Sequence, residues 1–553
     1  MPGYTCSLKE LLKMISREEV TLDNIETYLD CAKSEYKGYD EAKDELKLEN
    51  NDTNRPDLWF LEGTARQILS VHFGVTREYD FFEKSPGMDA RILASRELEG
   101  KRPFIAGFSV SGIEVSESLL DQLIQAQEKL CDNFGRRREL IAIGVYDSDL
   151  IKFPIHYIAA DPDKSSFAPL GFDERMTMRE VLERHPKGIQ YGGIVSGFDR
   201  MPLITDDNGS VLSFPPIINS NDLGKVKVGD KNLFVEVTGT DMDAVLLAAN
   251  IMAVNIADHG GVISPFETVY EDGRRVKSPF RFEDRTMVTR EFAEKLSGCK
   301  IETGELERLL RRMGHRTERK GEAVECTPPP YRRDILHMSD LVEDYCIALG
   351  YNNIDPQMPG SFTVGSESEK ALEEKTIREL MIGMGFQEMM TYILTAKESQ
   401  TDRMRLPGEK IVEIGNPMTE TYGVVRKSLI PILLEIESKN PRAEYPHKIF
   451  ETGETAELDP SLPEKAATRH KAAALIAHGS SNFSEINSAL QALMYYLGRD
   501  YSLVPAEHPS FIPGRSGYIT RNGKNIGVIG EIHPEVLENW SIAMPCSAFE
   551  MTL

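Results

Sequence analysis

The stretch Pro328–Ile354, PPPYRRDILHMSDLVEDYCIALGYNNI, decides how the middle of the chain is read, and it poses a problem of charge. No proline interrupts it between Pro330 and Pro356, and from Asp340 the apolar residues Leu341, Tyr345, Ala348 and Leu349 recur at helical spacing. This predicts an amphipathic helix with Ser339 as its N-cap. At about 100° per residue, Asp340, Glu343 and Asp344 fall on one narrow arc opposite the apolar stripe, with Asp334 just upstream. Like charges at i, i+3 and i+4 repel by roughly 0.2–0.5 kcal/mol per pair, partly offset by the helix dipole in a first turn. A cation would remove the penalty. Two sources fit: the adjacent Arg332 and Arg333, or a hard divalent ion such as Mg2+, which prefers carboxylate oxygens. A solvated acidic face is the third reading, and spacing alone does not separate the three.

The rest of the chain narrows the setting. Its 553 residues exceed a single core and predict about three to five domains. A formal charge of −24 disfavours a chain that grips nucleic acid over its whole surface, because phosphate binding rests on clustered Lys and Arg. The seven cysteines are scattered, with no CxxC pair and no Cys/His cluster, which argues against zinc and against a disulfide framework and fits a reducing cytoplasm. Neither a secretion signal nor a run of about 18 apolar residues is present, so no membrane span is expected.

Composition and periodicity divide the chain into four. Residues 1–100 read as a helical or mixed domain, helical in pattern up to about Lys47, with Asp57 placed to open a helix carrying Leu58, Leu61, Ala65 and Ile68. Residues 101–270 read as a mixed α/β domain: FIAGFSVSGIEV and ELIAIGVYD are strand-like, a helix ends at Gly135, and an apolar helix runs from about Asp243 to Asp258. EDGRRVKSP is a linker or hairpin. Residues 271–355 order as helix, helix, wing-like ERKGEAVECTPPPYRRD and the acidic helix, a winged-helix-like arrangement made locally basic by Arg308, Arg311, Arg312, Arg316, Arg319 and Lys320. Residues 356–553 alternate strands, among them MMTYIL, VEIGNPM and KIFETGE, with interspersed helices; the expected fold is an antiparallel sheet with helices on one face, and the whole chain is multi-domain α+β.

Four stretches stand in order along the chain: NRPDLWFLEGTARQI, INSNDL with FVEVTGTD, the acidic stretch above, and GNPMTETYGVVRKSLIP with PGRSGYITRNGKNIGVIGEIHPEVL. Together they resemble the beta subunit of phenylalanyl-tRNA synthetase, of the archaeal and eukaryotic-cytosolic kind, from about Asn54 to Leu553. The resemblance implies a ligase of two alpha and two beta chains that uses ATP to join phenylalanine to tRNA(Phe), with the aminoacylation chemistry on the alpha chain. It also implies that residues 356–553 are a class II synthetase-like sheet without catalytic motifs. The residues agree, because KIFETGE and GVIGEIHPE offer Glu451, Glu531 and His533 where a phosphate-stabilising cation would be needed. The expected role of this region is to face the alpha chain.

The resemblance implies two further sites. Asp334, Asp340, Glu343 and Asp344 match the family's Mg2+-binding carboxylates, for a structural ion shared with the alpha chain; Arg332 and Arg333 then either orient the cluster or touch RNA. Phenylalanine and tyrosine differ by one hydroxyl, which an apolar pocket excludes poorly, so a second, hydrolytic site is the physical remedy. In the family that editing site lies in the mixed α/β domain and by position matches Asn219, Ser220, Asn221 and Asp222 with Glu236, Thr238, Thr240 and Asp241. Strand alternation aims Glu236, Thr238 and Thr240 at one face; the plainer reading is an Asx-rich turn beside a polar strand. The N-terminal segment lacks an oligonucleotide-binding barrel pattern and no anticodon-binding domain follows FEMTL, so any tRNA grip by this chain is expected to be partial. Two other readings stay open: a scaffold subunit whose editing pocket has decayed, and a free-standing RNA-binding protein built on the basic winged unit.

Overall fold

In the computed structural model, which describes residues 3–358 and 360–553, the chain forms two units, Met1–Met358 and Pro359–Leu553. The first begins with strands where the sequence pattern predicts helix up to Lys47. Tyr4 and Cys6 alternate with less buried neighbours along Gly3–Ser7, and Leu46 and Leu48 do so along Glu45–Asn50; with Ser34–Asp40 they form an antiparallel sheet of three. The short helices Leu8–Ile15 and Ile25–Leu29 and a few turns interrupt them. Strands of five or six residues carry too few alternations to stand out from a helical background.

The next helix, Leu61–Phe73, is capped by Phe60 and not by Asp57. Asp57 lies upstream in a buried bidentate pair with Arg55, at 2.9 and 2.8 Å. The first turn of the helix rides directly on that segment: a Cβ on Gly63 would lie 1.7 Å from the Asp57 carbonyl oxygen.

A ten-stranded sheet dominates the unit. Its strands run, in order, Ile218–Asn219, Val211–Phe214, Met201–Thr205, Ile155–Ala160, Arg91–Ala94, Val262–Tyr270, Phe104–Ser111, Leu233–Gly239 and Ile141–Asp147, with Arg275–Ser278 paired to Val262–Tyr270 as a hairpin. The sheet therefore takes in strands from both sides of residues 101–270. On one face Val235 and Val237 meet the apolar helix Met242–Asp258 and the helix Glu117–Lys129; on the other Phe234 packs with Tyr146, Tyr157 and Phe266. Asn250, wholly buried in the apolar helix, donates to the carbonyls of Phe280 and Pro330 at 2.6 and 2.7 Å. The Pro328–Tyr331 segment is thereby tied to the sheet domain. The winged part follows: strands Thr286–Thr289, Arg316–Lys320 and Ala323–Thr327, with helices Arg290–Ser297, Thr303–Arg312 and Met338–Leu349 packed on them.

The second unit is a seven-stranded sheet, antiparallel except where Gln387–Glu388 runs parallel to His447–Leu458. Helices cover both of its faces, not one. Ile377, Ile486 and Leu490 pack on Phe450, Ala474 and Phe549, while Leu433, Val536 and Trp540 pack on the alternate residues Ile449, Ala473 and Leu475. MMTYIL and VEIGNPM contribute little strand: Leu394–Thr395 pairs with Val424–Val425, and Glu413 makes one isolated bridge. Among the described residues no helix is long and apolar enough to cross a membrane.

Gly63→Ala forces a backbone shift at the junction of helix and turn. The expected loss is about 1–3 kcal/mol of stability, read as a lower urea midpoint at unchanged m-value; an unmoved midpoint would contradict the close approach.

Candidate functional site

Leu233–Gly239 is buried at every position, and a carboxyl group sits in the middle of it. Glu236 is 3% exposed. It fits because its antiparallel partners opposite are both glycines, Gly107 and Gly144. A Cβ on Gly144 would lie 2.1 Å from the Tyr146 hydroxyl and 2.5 Å from Glu236 Oε1. Into that space Tyr146 Oη donates to Glu236 Oε1 at 2.9 Å, while Glu236 Oε2 is buried without a partner. Burial pushes the Glu236 carboxyl up to about 7, against the opposing effects of the Tyr146 hydrogen bond and the Arg102 charge. An orphaned buried oxygen of this kind demands a donor.

Glu236 faces a cavity of about 280 Å³, whose walls also include Cys131, Arg138, Ile143, Ser213 and Asn219. Of the residues predicted for this site, Glu236 and Asn219 line the cavity; the others are placed elsewhere. Thr238 Oγ1 accepts from Arg102 Nε at 3.1 Å in the protein interior. The strand ends at Gly239, so alternation does not carry Thr240 to the Glu236 face, and its hydroxyl is 3.4 Å from the Glu139 carbonyl. Asp241 caps the helix Met242–Asp258 by accepting from Ala244 N. Ser220 Oγ accepts from Leu223 N at 3.1 Å, Asn221 reaches Asp173 at 3.5 Å, and Asp222 is exposed on the turn. These are the Asx-turn roles of the plainer reading.

The cavity wall includes residues that pattern reading passed over. After a π-helical turn, Leu130–Phe134, the chain runs through Arg136, Arg137 and Arg138 at φ 50°, 54° and 71°. Each left-handed non-glycine residue costs about 1–2 kcal/mol. Their N–H groups return to the carbonyls of Asn133, Asp132 and Cys131. Buried Arg102 holds the far end, donating to the Arg138 and Glu139 carbonyls at 3.1 and 3.2 Å and to Thr238 O at 2.8 Å. Arg138 crosses the cavity edge to the Pro216 and Ile217 carbonyls, stacks 4.4 Å over Tyr191, and keeps Nε buried and unpartnered. The triple-arginine run was visible as charge, but nothing in it signals a left-handed turn.

The charge problem of the acidic stretch is resolved by Arg332. Its buried guanidinium donates to Asp334 at 3.0 and 2.5 Å and to Asp344 at 2.7 and 3.1 Å. Burial alone would raise both carboxyls, but the Arg332 charge outweighs it and holds both below the usual carboxylate range, aided at Asp344 by His315 Nε2 at 2.6 Å. Asp340 instead accepts from Leu336 N and His337 N at 2.7 Å each. This draws the helix start forward, so His337 and not Ser339 is the N-cap. Glu343 points away to Lys33. The four carboxylates are thus not gathered around one point, and among the described residues no group of three or more His, Cys, Asp or Glu side chains is arranged to hold a metal ion. A site for Mg2+ closed by this chain alone does not fit: both oxygens of Asp334 and Asp344 are already on a cation. Arg333 is separate from the cluster, pairing with Asp243 at 2.7 Å and with Asp284, and lying over the Phe282 ring. Half of the six basic residues of the winged face are paired with carboxylates, as Arg311–Glu307, Lys320–Glu325 and Arg308–Glu305.

In the second unit Arg426 meets Glu451 at 2.6 Å in the interior, and Lys471 lies 3.3 Å from Glu550. Glu531 accepts from Phe483 N and Arg515, and His533 caps a short helix. The sheet does carry cations, and Arg426, Lys471 and Arg515 are each bound to a carboxylate.

Comparison with known proteins adds the following. A family model described as "Phenylalanyl tRNA synthetase beta chain CLM domain" matches residues 354–553, and one described as "tRNA synthetase B5 domain" matches 286–351. The chain is 41% identical over its whole length to the phenylalanine–tRNA ligase beta subunit of Borreliella burgdorferi (strain ZS7), covering 99% of that protein. It is 40% identical to that of Thermococcus kodakarensis, covering 98%. A crystal structure of an N-terminal fragment of the phenylalanyl-tRNA synthetase beta subunit from Pyrococcus horikoshii matches 63% of this chain and 100% of the fragment, with TM-score 0.60 and 37% identity.

Two measurements probe the charges. Arg332→Met leaves Asp334 and Asp344 buried without their cation and is expected to cost about 3–5 kcal/mol in urea unfolding; a loss below about 1 kcal/mol would show the carboxylates to be solvated. Because the Glu236 value is raised in the folded state, its stabilising contribution is complete below the ordinary carboxyl value and is lost as pH rises through about 7. Stability relative to Glu236→Gln should therefore fall between pH 5 and pH 8 by an amount on the order of 3 kcal/mol; parallel profiles would place the titration elsewhere.

Proposed function

The chain belongs to the phenylalanine–tRNA ligase beta subunit family, and from that premise we propose that it acts in a two-alpha, two-beta ligase and hydrolyses mischarged Tyr-tRNA in the cavity at Glu236. The observation that carries the editing reading is the unpartnered Glu236 oxygen in a buried strand. A tyrosyl hydroxyl donates to that oxygen, whereas a phenylalanyl ring leaves it desolvated and unpaired. Sites built on a buried polar group discriminate in this way against the analogue that lacks the hydroxyl. Asn219 adds an amide to the cavity wall, and Arg138 a guanidinium.

In this reading ATP and phenylalanine are bound and activated on the alpha chain. The second unit is a class II-like sheet retained for packing, supported by the capture of Arg426 by Glu451 and of Lys471 by Glu550, which leaves those cations spoken for. A divalent ion at the acidic helix is then shared between chains. Glu343 and Asp340, the more exposed carboxylates, would contribute from this side, while Arg332 orders Asp334 and Asp344 behind them. The shorter archaeal and eukaryotic-cytosolic form of the subunit is the type we assign; relatives of matching length come from Borreliella burgdorferi and Thermococcus kodakarensis alike.

Deacylation of Tyr-tRNA(Phe) by the alpha–beta complex tests the reading. Glu236→Ala is expected to slow hydrolysis by about 10- to 100-fold, the value of one buried hydrogen bond, and Thr240→Ala to leave it unaltered. Equal rates for wild type and Glu236→Ala would remove Glu236 from the site, and a wild-type complex without deacylase activity would leave a scaffold subunit.

A further inference from the structure

A cavity of about 280 Å³ accepts an aminoacyl side chain but not the nucleotides to which it is joined, since pockets for drug-sized ligands run to about 300–1,000 Å³. The polynucleotide must therefore lie against the rim. Arg138 lines the cavity, and Arg136 and Arg137 precede it directly in the chain. Arg136 and Arg137 are exposed and, among the described residues, have no carboxylate partner; Arg138 and Lys187 are half-buried against Tyr191. The acidic groups nearby are Glu128, Asp132 and Glu139, of which Asp132 accepts from the Tyr191 hydroxyl at 3.2 Å.

The backbone explains why this run is more than a solvated charge cluster. The N–H groups of all three arginines are turned inward onto carbonyls of the preceding helix, so the left-handed turn is fixed at both ends, by those bonds and by Arg102. A left-handed backbone is easiest for glycine, yet three consecutive positions carry guanidinium groups, the side chain suited to bidentate phosphate binding. In a chain with a net charge of −24, a polyanion is drawn to such a local concentration of positive charge and not to the surface at large.

Resting on the editing reading above, we propose that Arg136 and Arg137 clamp the backbone phosphates of the single-stranded 3′ end of the aminoacylated RNA, with Arg138 joining the clamp to the cavity wall. They are positioning residues: they hold the polynucleotide so that the ester-linked amino acid reaches Glu236.

The test uses the alpha–beta complex with the double substitution Arg136→Glu and Arg137→Glu, and with Arg136→Lys and Arg137→Lys as the conservative pair. For Tyr-tRNA hydrolysis the charge reversal should raise KM about tenfold or more with kcat within about twofold. It should also flatten the salt dependence of kcat/KM by about 1.4 in log–log slope, two phosphates at roughly 0.7 each for a single strand. The lysine pair should recover most of the effect. In parallel, fluorescence anisotropy measures binding of a labelled single-stranded RNA dodecamer ending in CCA, which requires no hydrolysis; affinity should fall about tenfold with the reversal. Unchanged KM, salt slope and dodecamer affinity would overturn the proposal. Arginine-dependent dodecamer binding by a wild-type complex that hydrolyses no Tyr-tRNA would uphold the clamp and refute the editing reading, so the two fail separately.

Discussion

Buried guanidinium–carboxylate pairs hold the first unit together. Arg332 lies between Asp334 and Asp344, Arg55 pairs with Asp57 and stands 3.9 Å from Asp334, and Arg66 on the helix Leu61–Phe73 reaches Asp258 at the end of the helix Met242–Asp258. Of these, Arg55 beside Asp334 and Arg66 with Asp258 join segments distant in sequence. A charge removed from water is tolerable only with its partner in place, so these pairs admit one arrangement of the N-terminal helix, the sheet domain and the winged part. Asn250 adds an uncharged version of the same device, tying Pro330 to the sheet domain. The conformation of the acidic stretch follows from this: with Arg332 fixed, Asp334 and Asp344 turn inward while Asp340 and Glu343 remain nearer to solvent.

Much of this was legible in the sequence, for identifiable reasons. The helix Met338–Leu349 announced itself through periodicity, and charge spacing put a cation beside it among the readings without excluding a solvated acidic face. Which cation was not legible, because the answer depends on a guanidinium two residues from one carboxylate folding back to meet another twelve residues away. The helices on both faces of the second unit had a signal that was read too weakly: Ala472–Ala477 is apolar at every position, the mark of a strand buried on both sides. The strands Gly3–Ser7 and Glu45–Asn50 were missed because two alternations cannot outvote a helical neighbourhood.

The candidate site divides along a similar line. Glu236 and Asn219 came from a resemblance in linear motif. Tyr146, Gly144 and Arg102 are neighbours only through strand register and tertiary packing, which no single strand encodes. Thr240 and Asp241 sit close to Glu236 in sequence yet serve a strand end and a helix cap, since Gly239 closes the strand before alternation can reach them. Glu236 stands on an interior strand, one from the edge of the sheet, so this hydrogen-bond acceptor is held by strands on both sides and its position does not drift as a loop residue's would.

The glycine opposite Glu236 also limits the routes by which this cavity can change over evolutionary time. A methyl group at 144 collides with both the Tyr146 hydroxyl and the Glu236 carboxyl, so position 144 is free to vary only in a lineage where both oxygens have moved or been lost. Tyr146, in turn, supplies the one hydrogen bond that the buried carboxyl makes among the described residues, and a lineage that discards it strands both oxygens of Glu236. The three positions therefore form an ordered lock. Change at 144 or 146 is penalised while the carboxyl is in place, and a pocket that loses the carboxyl first leaves behind a glycine and a tyrosine whose pairing records what once lay between them.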